Sequence, residues 1–130
     1  MSALKLPNEL QEVLLTAARF HDLGKKREVW QRSIGNPDPT DWYAKSGRDW
    51  EPRDICPDYR HEFGSLLDVE DKPAFKNLRH EMRDLILHLI ASHHGRGRPH
   101  FPAREAYDIE PNGKDARGLA GQVPQRFARL

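Results

Sequence analysis

The stretch AFKNLRHEMRDLILHLIASHHG (74–95) decides the fold class. Its apolar residues Phe75, Leu78, Met82, Leu85, Ile86, Leu89 and Ile90 recur at three- and four-residue intervals, as they do in a helix that buries one face. The pattern predicts one long helix from about Ala74 to His94. Gly95 and Gly97 end it, and Pro99 prevents a restart. At 100° per residue, His93 falls on the midline of the stripe and His94 flanks it. His80 and His88 fall on the polar side and read as surface histidines.

A second stripe lies near the N-terminus. Pro7-Asn8 followed by Gln11 reads as a helix start, with Asn8 capping and Gln11 reaching back. Leu10, Val13, Leu14, Ala17 and Ala18 then mark one face, and Gly24 stands where a C-terminal cap belongs. His21 projects onto the centre of that face and Asp22 onto its edge. Both helices therefore change, in their last turn, from apolar residues to metal-type ligands. One buried imidazole needs one hydrogen-bond partner, whereas three imidazoles and a carboxylate held together call for a cation. Neutral imidazole nitrogens beside a hard carboxylate suit a divalent transition metal, with one carboxylate able to bridge two ions.

The rest of the chain reads as short helices and loops. A helix is expected over Arg27 to Ser33, stopped by Gly35, and another around Tyr59–Leu67. His61 opens the latter helix, is followed by Glu62, and cannot be placed by periodicity. Residues 36–58, with Pro37, Pro39, Pro52 and Pro57, form a long irregular insertion. Trp30 reads as a core residue, and Trp42 and Trp50 as anchors of the insertion. Residues 100–130 are weakly patterned, with a hint of a helix start in VPQRFARL (123–130). No strand pattern appears, so the expected class is all-α, a compact helical bundle in a single domain over 1–130.

Bulk composition agrees. With 130 residues, 37% hydrophobic and 32% charged, the chain has enough apolar material for one modest core and too much to be disordered. It contains no apolar run near the ~20 residues of a membrane span and no secretory-type N-terminus. Cys56 is its only cysteine, which excludes an internal disulfide and fits a cytoplasmic location. Net charge is +1, but residues 38–72 carry a local balance of −5. The segment from His93 to Arg104 carries Arg96, Arg98 and Arg104 with no acid. That asymmetry gives a polyanion a preferred side of approach.

Three segments, AARFHDLGK (17–25), RHEFGSLL (60–67) and LILHLIASHHGRGRPHF (85–101), resemble the successive motifs of HD-domain metal phosphohydrolases. Among these they are most similar to the HD nuclease domain of CRISPR type I interference nuclease-helicases. The resemblance implies a helical bundle with metal at its centre. Asp22 would bridge two ions, His61, His93 and His94 would complete one site, and His21 would help hold the other. It also implies one or two divalent transition ions (Mn, Fe, Co or Ni) and a metal-activated water that hydrolyses single-stranded DNA. Lys25 would sit at the substrate phosphate, with Arg96, Arg98 and His100 near the strand. Partners would be a helicase domain or subunit and a CRISPR surveillance complex, since no G-x-x-x-x-G-K-[ST] is present here. The family also uses a histidine in a helix before the HD pair and an aspartate in a late helix. Neither has a counterpart here, so both terminal helices of the family are expected to be missing. Two other readings stand beside this one: a nucleotide phosphohydrolase of the same superfamily, and a catalytically incomplete helical module that binds metal or a partner.

Overall fold

The computed structural model describes residues 5–36, 38, 40–43 and 60–94. Among these the protein is all helix and loop, without a strand. Helix α1 spans Asn8–Phe20, followed by a 3-10 turn over Leu23–Lys26 and by α2 over Glu28–Ser33. Helices α3 (His61–Val69), α4 (Pro73–Lys76) and α5 (His80–Ser92) complete the described part. None of these helices is long and apolar enough to cross a membrane.

The core is built around α3, in which every residue from His61 to Leu67 is buried. Its apolar residues Phe63, Leu66, Leu67 and Val69 pack with α1 and α5 residues in one cluster, as expected of a helix covered on all sides. Helix α5 packs on both α1 and α3, and α3 also lies against the 3-10 turn. It therefore buries a wider face than its stripe predicts. Met82, Ile86 and Ile90 are inside, joined by Asp84, Leu87 and Ala91, while Leu85 and Leu89 are only half-buried. His80 is exposed and lies 3.5 Å from Asp84, whereas His88 is half-buried rather than a surface histidine.

The predicted continuous helix 74–94 is broken. Arg79 is extended (φ −62°, ψ 158°) and separates α4 from α5. Asn77, a weak helix former, precedes the break. The break leaves Phe75 buried at 4% exposure and Leu78 packed on the core, and the Arg79 guanidinium reaches Glu9 of α1. That ion pair is exposed and contributes little.

Helix α1 buries Val13, Thr16, Ala17 and Phe20, a face turned by about 80° from the predicted stripe. Leu14 is 45% exposed and Ala18 is also outside. The turn brings Phe20 into the core, where it is 8% exposed. Asn8 does not cap the helix. Pro7 takes that position, and the Gln11 side chain donates to the Leu6 carbonyl at 2.6 Å. Gly24 does not cap the helix either. The C-cap is His21, and Gly24 lies inside the 3-10 turn. Gly35, with φ 72°, stops α2 as expected.

A clamp ties α2 to α3. The Arg27 side chain, 5% exposed, donates to both carboxylate oxygens of Asp68, at 3.1 Å from Nε and 2.8 Å from Nη2. Removing the carboxylate takes a two-point charged partner from a buried guanidinium. A wholly buried pair loses about 3–5 kcal/mol in this way, and partial exposure of Asp68 reduces that. Asp68→Ala is expected to cost about 2 kcal/mol and to lower the urea midpoint without changing the slope of the transition. An unchanged midpoint would show that the clamp does not hold α2 in place.

Candidate metal centre

The centre forms where α1 and α5 end and α3 begins. His21 and His93 are the C-cap residues of α1 and α5, both in right-handed helical geometry (φ −58°, ψ −28° and φ −63°, ψ −21°). The last carbonyls of a helix have no partner within it. In each case the imidazole supplies one: His21 Nδ1 donates to the Ala18 carbonyl at 2.7 Å and His93 Nδ1 to the Ile90 carbonyl at 2.6 Å. A carbonyl only accepts, so Nδ1 carries the proton and Nε2 keeps a free lone pair. At His61, Nδ1 faces the buried Glu62 carboxylate at 3.7 Å.

The three Nε2 atoms turn toward Asp22. Asp22 Oδ1 lies 3.2 Å from His61 Nε2 and 4.0 Å from His93 Nε2, while Oδ2 lies 3.4 Å from His21 Nε2. His94 Nε2 is 3.2 Å from His61 Nε2. Two donors about 2.1 Å from one cation, at tetrahedral or octahedral angles, stand about 3.0–3.4 Å apart. Three of the four spacings, 3.2, 3.4 and 3.2 Å, fall in that range, and the His93–Asp22 distance of 4.0 Å is longer. Two overlapping groups have ligand atoms within 4.8 Å of one another: His61, His93 and His94, and His21, Asp22 and His93. These His and Asp residues are close enough to hold a metal ion.

Electrostatics keeps the donors in ligand form. Burial pushes the His61 imidazole down to about 4, and the Lys25 ammonium adds to this while Glu62 and Asp22 oppose it. Burial, followed by the adjacent His93, also lowers His94. Burial alone would disfavour the Asp22 carboxylate, but the Lys25 hydrogen bond and the charges of Lys25, His21 and His61 outweigh it and hold its pKa below the usual value. At neutral pH the cluster is thus a carboxylate with neutral imidazoles at His61 and His94.

All five ligand candidates, His21, Asp22, His61, His93 and His94, come together, and Lys25 Nζ sits 3.0 Å from Asp22 Oδ2. His21 is at the rim rather than on the midline, a consequence of the rotation of α1, and its side chain is 40% exposed. Arg96, Arg98 and His100 lie outside the described residues, as do 123–130 and most of the 36–58 insertion.

Four residues not singled out as part of the site organise it. Ser65, one turn after His61 on α3, accepts from the Gly24 backbone N–H at 2.8 Å and lies 2.7 Å from the His21 carbonyl and 3.0 Å from the His61 carbonyl. It links the turn carrying Asp22 to the helix carrying His61. Glu62, which holds Arg60, backs His61. Buried Gln31 donates to the Lys25 carbonyl at 2.6 Å and the Tyr43 carbonyl at 3.0 Å, fixing the turn and the start of the insertion. The Trp30 ring packs edge-on against His61 with centroids 5.2 Å apart. Only Glu62 and Ser65 carry a sequence signal, the first adjoining His61 and the second lying one helical turn after it. Set against known protein families, curated proteins and solved structures, the chain finds no match.

Proposed function

We propose that this chain is an HD-type metal-dependent nuclease that hydrolyses phosphodiesters in single-stranded DNA. The convergence of imidazole Nε2 atoms on the two oxygens of Asp22 carries the reading, since at His21 and His93 the other ring nitrogen is engaged by a backbone carbonyl. The ligand set, mostly imidazole with one carboxylate, favours Mn, Fe, Co or Ni over magnesium. When bound, such an ion acidifies a water molecule and neutralises charge on the phosphoryl oxygens. His61, His93, His94 and Asp22 would hold it, and His21 lies at its edge. Lys25 keeps one donor on Asp22 and has two more for a phosphate oxygen.

The choice of substrate rests on the HD-nuclease resemblance and on Arg96, Arg98 and His100, which directly follow the ligands in sequence. By the same resemblance the protein works in the cytoplasm with a helicase domain or subunit, within CRISPR-type antiviral defence. The test compares a long single strand with mononucleotides in the presence of Mn, Co or Ni. Cleavage of the strand is expected, with kcat/KM falling at least about ten-fold between 50 and 200 mM salt. Hydrolysis confined to mononucleotides would identify a nucleotidase. Metal uptake with neither activity would identify a non-catalytic module.

A further inference from the structure

We infer that the Lys25 ammonium takes the place of a second cation, so that the centre holds one ion. The inference rests on the metal reading above and concerns how its donors divide. His93 belongs to both candidate groups, but its Nδ1 is engaged by the Ile90 carbonyl, which leaves Nε2 as its one free donor. A single lone pair serves a single ion. Assigned to the group of His61 and His94, it completes three imidazoles, with Asp22 Oδ1 at 3.2 Å from His61 Nε2 as a fourth ligand. Three imidazoles with a carboxylate oxygen beside them are the donors of a single ion. Among the described residues the other group then keeps only His21 Nε2 and Asp22 Oδ2.

The second oxygen already has a cation. Lys25 Nζ stands 3.0 Å from Asp22 Oδ2, on a side chain 20% exposed. Its backbone is fixed on both sides, the N–H donating to the Asp22 carbonyl at 3.0 Å and the carbonyl accepting from Gln31 at 2.6 Å. An ammonium so held neutralises the outer face of Asp22 and repels a divalent ion from His21. Asp22 thus bridges one ion and one lysine, and Lys25 presents a fixed positive charge to a phosphate bound between them.

Stoichiometry tests this without recourse to catalysis. The full chain is equilibrated with Co2+ and weighed by native mass spectrometry, beside Lys25→Met, which keeps the aliphatic stem, and Lys25→Arg, which keeps the charge. One ion is expected on the wild type and on Lys25→Arg, and two on Lys25→Met, with the second binding at least about ten-fold tighter than to wild type. Two ions on the wild type, or one on a folded Lys25→Met, overturn the inference and leave the metal reading standing. No ion on the wild type overturns both. Circular dichroism confirms that each variant is folded.

Discussion

Asp22→Ala is expected to lower metal-dependent cleavage by at least about 10^3-fold and to leave the apo fold intact. The two halves of that result have different causes. Asp22 makes no side-chain cap to the turn it precedes and is 39% exposed, so its loss removes little packing, and a stability change within about 0.5 kcal/mol is expected. Its oxygens, however, are the only described carboxylate atoms within 4 Å of the Nε2 atoms of His21, His61 and His93. Even groups that merely orient a metal ligand cost 10–100-fold in affinity when removed, and a direct anionic ligand costs more. Loss of the carboxylate also frees the Lys25 ammonium beside the imidazoles, which further disfavours a cation. Asp22→Asn, of the same shape without the charge, should fail similarly. Metal content, cleavage of a labelled single strand and a thermal melt together check the prediction. Full metal-dependent activity in either variant would remove Asp22 from the mechanism.

Much of this candidate centre was legible because four of its five candidate ligands, His21, Asp22, His93 and His94, sit where helices end. The apolar stripes of 8–20 and 80–92 announced helices, and the His-rich residues after each were visible as a change of character. The exact faces were not legible. Periodicity counts Leu14 and Ala18 as apolar without showing that Thr16 and Phe20 go inside in their place, which rotates α1 and leaves His21 at the rim. The break at Asn77–Arg79 was hidden because Phe75 and Leu78 keep the stripe's spacing while the backbone leaves the helix. His61 was not placed by periodicity, since α3 buries its polar residues His61, Glu62 and Ser65 together with its apolar ones. Gln31 acts through the backbone carbonyls of Lys25 and Tyr43, and such contacts leave no local pattern.

Gly24→Ala is expected to damage both stability and metal binding, for a reason opposite to that of Asp22. A Cβ on Gly24 would stand 1.9 Å from the His61 carbonyl oxygen, 2.8 Å from its carbon and 2.9 Å from the Ser65 nitrogen. All three are backbone atoms of α3, so no side-chain rotation relieves the clash. The turn must lift away from the helix, breaking the Gly24 N–H bond to Ser65 Oγ and straining the Arg27–Asp68 clamp one turn further on. Overpacking of this kind costs about 3 kcal/mol or more, a large share of the total stability of one domain. A fall in Tm of roughly 10 °C is expected. The displacement also carries Asp22 away from His61, so the folded fraction should bind the ion at least about ten-fold more weakly. Ser65→Ala separates the two effects. It removes the hydroxyl that joins the turn to α3 but adds no clash, and should lower Tm by less than Gly24→Ala. A Gly24→Ala protein with wild-type Tm and wild-type metal affinity would show that the turn does not depend on this close approach.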